Sequence, residues 1–159
     1  MHNNYRIQIL SAIAAAALLQ GCGQSAPDMN KVRADVAKAQ ADGQKTIVDA
    51  QAKFDKVMAE NNKDVVGAQA DANTASNPAA ASEDIAKARR DAAVKVADAQ
   101  FDVDKAKAEA AQKVAEANCE AQTGDANKSC KDAAKASYDS AIAAAKAKND
   151  NARAQAKGS

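Results

Sequence analysis

Residues 29–72 read MNKVRADVAKAQADGQKTIVDAQAKFDKVMAENNKDVVGAQADA, and the spacing of their apolar and small positions decides the fold. Val32, Val36, Ala39, Gly43, Ile47, Ala50, Phe54, Val57, Asn61, Val65, Ala68 and Ala72 follow one another at steps of three and four. The mean step is about 3.6, the period of an α-helix, so these positions form one stripe on one helix. An 11-residue relation also links Val32, Gly43, Phe54 and Val65, and again Val36, Ile47 and Met58. Such a repeat corresponds to about 3.67 residues per turn and predicts a straight or slightly right-handed helix. Uninterrupted, that helix extends about 65 Å. Gly43 and Asn61 sit on the stripe and read as its weak points.

Working outward, the pattern breaks at 73–82 (NTASNPAAAS), where Asn77-Pro78 is a turn signal. Ser82 followed by Glu83 and Asp84 reads as the next helix start. A second stripe then runs Ile85, Ala88, Ala92, Val96, Ala99, Val103, Ala106, Ala110, Val114, Ala117 and Ala121. Val94 and Phe101 fall on roughly the opposite face at about 100° per residue, so this helix is expected to touch neighbours on two sides. Thr123-Gly124-Asp125 is the next punctuation, and Ser129 with Asp132 has the form of a capping box. A last helix over about 130–155 carries Ala134, Tyr138, Ile142, Ala145 and Ala152 on one face, with Gly158 and Ser159 fraying.

Composition explains why helices are the outcome. The hydrophobic share is 47%, but most of it is alanine, tryptophan is absent, and no leucine follows Cys22. Ile, Val and Phe make up roughly a tenth of the residues after Cys22, too little large apolar surface for a compact globule. Alanine is the best helix former, with Lys, Gln, Glu and Arg close behind. Long helices built this way are marginal alone and need partner helices. The fold class expected is therefore all-α: elongated Ala-rich helices, two or three of them, in an antiparallel hairpin arrangement. With 22 basic and 21 acidic residues interspersed, no phosphate-matching basic patch forms, which sets nucleic acid aside.

The N-terminus has the order of an export signal, with Arg6 in a short polar start and then a nearly unbroken apolar run from Ile7 to Leu19. That run is too short to cross a hydrocarbon core of about 30 Å. It ends in Leu19-Gln20-Gly21-Cys22, which resembles the bacterial lipobox. The resemblance implies cleavage before Cys22 and acylation of Cys22, which then anchors the chain in a lipid bilayer. A plain secretory peptide with a chance cysteine, or an uncleaved anchor, is the competing reading. Gly23, rather than an aspartate, follows the lipidated cysteine, which under the Gram-negative sorting rule implies the outer membrane, facing the periplasm. The organisation expected is a signal peptide over 1–21, a lipidated tether over 22–28, a long helix over 29–72, a linker over 73–82 and a helical hairpin over 83–157.

Cys119 and Cys130 remain, in a compartment that permits disulfides. On one continuous helix their thiols would lie about 16 Å apart. A disulfide needs Cα atoms within about 7 Å. An internal bond therefore requires the chain to reverse at Thr123-Gly124-Asp125, giving a hairpin stapled near its bend. The alternative is an intermolecular disulfide between continuous helices; a redox-active pair is disfavoured, because C-x-x-C spacing and a surrounding sheet pattern are absent. The segment from Cys119 to Lys135 resembles a cysteine-paired motif of small Ala/Lys-rich proteobacterial envelope proteins, a likeness that carries no activity. The composition is also similar to the helical stalk of TolA, which unlike this chain starts from an inner-membrane helix. The major peptidoglycan-linked outer-membrane lipoprotein is another anchored helix, but its family has leucine-rich heptads and a C-terminal lysine, where this chain reads Ala156-Lys157-Gly158-Ser159.

Catalytic equipment is not legible. The single histidine is His2, inside the leader, which removes His-based acid–base chemistry, a Ser-His-Asp triad and a His metal site from the mature chain. No glycine-rich phosphate loop occurs, and no cofactor is implied. Carboxylates sit beside lysines at helical spacing, as in Asp98 with Lys95 and Lys105 with Glu109, and read as solvated ion pairs. The expected function is a membrane-anchored, non-enzymatic spacer or interaction helix, which self-associates or meets an envelope protein and has no evident small-molecule substrate. A stress-protective or lipid-surface helix with 11-residue repeats resembling late-embryogenesis-abundant proteins is the alternative. A ligand-binding module with the stapled hairpin as its rigid tip is a third class, favoured by no residue beyond Tyr138 and the cysteine pair.

Overall fold

The computed structural model describes residues 26–158. The signal peptide expected over 1–21, together with Cys22 and Gly23, lies outside the described residues. Three helices occupy almost all of the described span: α1 (Met29–Thr74), α2 (Pro78–Cys119) and α3 (Gly124–Gly158). The chain is all-α and runs as two antiparallel hairpins that share α2.

Local chemistry sets the helix ends. Asp28 caps α1, its carboxylate accepting from the backbone N–H of Asn30 at 2.9 Å and of Lys31 at 3.3 Å. α2 starts at Pro78, before the Ser82-Glu83-Asp84 position expected from sequence. The reason is that Asn77-Pro78 is a cap rather than a turn alone. Asn77 Oδ1 accepts from Ala79 N at 3.2 Å and Ala80 N at 3.4 Å, and proline at the first helical position loses no hydrogen bond. The connection between α1 and α2 is thereby only 75–77. α3 likewise begins at Gly124 rather than near 130, leaving Ser129 and Asp132 exposed inside the helix, and it continues through Gly158.

α2 lies between the other two helices, and α1 and α3 do not pack on each other. One face of α2 meets α1: Asn61 Nδ2 donates across the seam to Ala92 O at 3.3 Å, and Gly43 faces Ala110. Eighteen residues forward on α1, from Gly43 to Asn61, correspond to eighteen back on α2, from Ala110 to Ala92. The register is thus held over about 27 Å. The other face of α2 meets α3, where Phe101 and Ala97 line a groove with Ala145, Asn149 and Ala152. At 100° per residue the two faces are nearly opposite, so the three helices form a flat layer.

Continuing the register eleven residues from Gly43 and Ala110 brings Val32 level with Ala121. The bend between α2 and α3 therefore sits at the end where α1 begins. The opposite end carries the 75–77 connection. With 46 residues, α1 spans about 69 Å between these ends. α3 is shorter and ends near Val94, where Lys157 meets Arg90 and Val94, so the first part of α2 packs on α1 alone.

The buried positions expose the 11-residue period in every helix. On α1 Val32 and Gly43 show it, with the buried Asn61 eighteen residues further on and off that row; on the α3-facing side of α2 the positions are Ala97, Ala108 and Cys119, and on α3 Ala134, Ala145 and Ala156. Eleven residues turn about 1100°, some 20° past three full turns, so a row drifts slowly around a straight helix. That drift explains Met58: the row Val36, Ile47, Met58 begins half-buried and has rotated out to 44% exposure by its third member.

Gly43 is a close-approach residue rather than a weak point. A Cβ built there would lie 2.8 Å from Ala110 Cβ and 3.3 Å from Ala110 Cα, so any side chain forces the helices apart. Gly67, on the same helix, has nothing within 4 Å of such a Cβ. Gly67→Ala should raise stability by about 0.8 kcal/mol through helix propensity alone. Gly43→Ala gains the same propensity but overpacks the seam, for a net loss of about 1–2 kcal/mol. Thermal unfolding of the two variants, followed by circular dichroism, should shift in opposite directions; equal shifts would refute the close-approach role.

Candidate functional site

The bend between α2 and α3 is the most chemically distinctive part of the described chain. α2 ends at Cys119, and its last turn closes through Glu120 N to Ala117 O at 3.3 Å and Ala121 N to Asn118 O at 3.1 Å. Gly124 then takes φ 59°, a left-handed conformation that costs an L side chain about 1–2 kcal/mol but a glycine little. This residue reverses the chain. Asn127 Nδ2 reaches back to donate to Cys119 O at 2.6 Å and to Gln122 O at 3.3 Å, tying the start of α3 to the end of α2. Sequence reading missed Asn127. Its signal was a polar amide one turn beyond a glycine, which low sequence complexity obscures.

Cys119 and Cys130 are brought together by this reversal and form a disulfide, with Cα atoms 5.6 Å apart. The bond is intramolecular, as the hairpin reading requires. The two sulfurs sit in different surroundings, because Cys119 is 0% exposed whereas Cys130 is half-buried. Lys131 Nζ and Glu120 form an ion pair at 2.7 Å beside the bond, both side chains substantially solvated. Acidic Asp125 in the first turn of α3 and basic Lys157 in its last turn complement the helix dipole.

The polar links across the seams differ from those expected along single helices. Asp98 was expected beside Lys95, but the two residues turn to different neighbours. Asp98 Oδ1 accepts from Arg153 Nη1 at 2.9 Å and from Asn149 Nδ2 at 3.1 Å, both on α3. Lys95 pairs with Asp64 on α1 at 3.6 Å. The two lie about 60° apart on one flank of α2, Lys95 nearer the α1-facing side and Asp98 nearer the α3-facing side, so each meets a partner on a different neighbouring helix. Lys148 Nζ also bonds Asp104 at 3.1 Å, whereas Lys105 and Glu109 pair along α2 at 3.8 Å. Asn149 Oδ1 is buried in the seam without a partner.

On the outward faces the ionic chemistry is local. A hydrogen bond from Lys38 holds the Asp42 carboxyl below its usual range, and the same bond raises the Lys38 ammonium. Asp139 raises Lys135 in the same way. The depressed Asp42 carboxyl favours the folded chain above the ordinary carboxylate range, and that contribution fades as pH falls through its lowered value. Tyr138 is half-buried on the side of α3 that bears Ala134 and Ala145.

Among the described residues, no cluster of three or more His, Cys, Asp or Glu could hold a metal ion. Among the same residues, no helix is long and apolar enough to cross a membrane. The remaining concavities are open grooves along the two seams, such as that between Thr46, Asp49 and Lys53 on α1 and Asp102, Lys105 and Glu109 on α2. No protein family, no curated protein and no solved structure matches the chain.

Asp98 links α2 to α3 through two donors, so Asp98→Ala should cost about 1 kcal/mol, discounted for its partial exposure. Thermal melts should show a downward shift of a few degrees for Asp98→Ala and none for Lys38→Ala, whose pair lies within one exposed helix face. Equal melts for the two variants would refute the cross-helix role.

Proposed function

We propose that this chain is a non-enzymatic bacterial lipoprotein, fastened to a bilayer through acylated Cys22, whose helices act as a spacer or interaction rod in the cell envelope. The observation that carries the proposal is the placement of the ends. The start of α1, which follows the 22–28 tether, and the stapled bend share one end, and the connection at 75–77 is about 69 Å away. A chain anchored before α1 would then present the bend near the lipid surface and the 75–77 connection farthest from it. Gly23 and the lipobox-like Leu19-Gln20-Gly21-Cys22 support attachment to the outer membrane, with the rod in the periplasm. Partners of such a rod are a further copy of the chain or another envelope protein, since the mixed-charge surface offers no match for nucleic acid.

The spacer reading is favoured over a lipid-lying or stress-protective helix by where the apolar residues go. The stripes of α1 and α2 are used against each other, and the large apolar side chains left exposed in the described residues are Met29, Val48, Met58 and Val66. A helix that lies in a lipid interface needs a broader face of bulky residues.

Radiolabelled palmitate should enter the protein in cells, and Cys22→Ser should abolish both the label and membrane fractionation. Label in the Cys22→Ser variant, or unchanged fractionation, would sink the anchoring. Circular dichroism of residues 23–159 in buffer separates the two functional classes. Cooperative helix without lipid supports the spacer, and helix that forms only with lipid vesicles or on drying supports the alternative.

A further inference from the structure

We infer that the Cys119–Cys130 bond is an exchangeable lock on α3, opened at Cys130 by a dithiol reductant, whose release undocks α3 and leaves the α1–α2 hairpin assembled. Two observations carry this: the unequal burial of the two sulfurs, and the unequal holds on the outer helices.

α1 packs along the length of α2 with Val32, Val36, Ile47, Phe54, Val57 and Val65 on its stripe, and its register is pinned at Gly43 and Asn61. α3 has no contact with α1 to support it. Its buried side chains are all alanine. Its ion pairs run through the solvated Lys148 and Arg153, the former to Asp104, whose side chain is 23% exposed. The disulfide is the one covalent closure of the second hairpin, and for a loop of this size it shifts the docking equilibrium by roughly 100-fold. The first hairpin has no such closure, so opening the bond acts on α3 alone.

Thiol–disulfide exchange begins with a thiolate reaching one sulfur. Cys119 Sγ belongs to a fully buried residue, whereas Cys130 is half-buried, so the attacked atom is Cys130 Sγ. The reductant's thiolate forms a mixed disulfide with Cys130, the bond to Cys119 breaks, and Cys119 leaves as a thiolate that takes up a proton. The reductant's second thiol then attacks its own sulfur in the mixed disulfide and frees Cys130, which also ends as a thiol. Two electrons pass from the dithiol to the protein, and the reductant becomes a disulfide. Undocking uncovers Ala97, Phe101 and Ala108 of α2 and Tyr138 and Ile142 of α3.

Two measurements on the full chain test this. Amide hydrogen exchange, compared with and without dithiothreitol, should rise roughly 100-fold over 134–156 and less than about twofold over 36–68. Unchanged exchange in α3, or an equal rise in α1 and α3, would overturn the selective release. Brief treatment with glutathione, acid quenching and peptide mapping should place the first adduct on Cys130. A first adduct on Cys119, or equal adducts on both cysteines, would overturn the point of entry.

Discussion

Alanine reaches only one carbon from the backbone, and this chain must hold helices together with little else. Two alanine-faced helices make contact only when their axes approach closely, because separation follows the size of the side chains at the contact. Gly43 opposite Ala110 shows that constraint directly, since a Cβ at position 43 would meet Ala110 Cβ at 2.8 Å. Closeness in turn demands straight helices whose small residues stay in phase. The 11-residue spacing of buried positions in all three helices supplies that phase, with a drift slow enough to keep each seam continuous over several turns.

The same constraint explains where polar groups appear. Seams that bury little apolar surface gain specificity from a few directional links, and each such link here crosses between helices. Asn61 reaches the backbone of α2 at Ala92, Asp98 gathers Arg153 and Asn149 from α3, and Asn127 closes the bend onto Cys119. An amide in an apolar stripe costs stability but restricts register, because any slip leaves it unpaired. Alanine rows alone would tolerate a slip of one turn.

The flat arrangement of the helices follows from the pattern on α2. Its α1-facing and α3-facing positions lie nearly opposite one another, so the outer helices cannot meet and no central core forms. The fully buried side chains are correspondingly few, with Val103 and Cys119 the largest. The disulfide lies in the weaker of the two seams, where it adds closure that alanine packing alone does not supply.

Sequence by itself determined that the chain is helical, where the long stripe of α1 runs, that α2 bears two faces, and that the cysteines require a reversal at Thr123-Gly124-Asp125. Those features are local, since periodicity, propensity and chain reach act within a few turns. It misplaced the starts of α2 and α3 because Asn-Pro serves equally as a turn and as a helix cap, and because one left-handed glycine suffices to reverse the chain. Only the tertiary structure decided that Gly43 lets the seam close and Asn61 fixes its register, that Asp98 turns away from Lys95, and that the stapled bend lies at the end where α1 begins. Each depends on which residue of a neighbouring helix stands opposite, a relation between segments far apart in sequence that a repeating alanine pattern leaves degenerate.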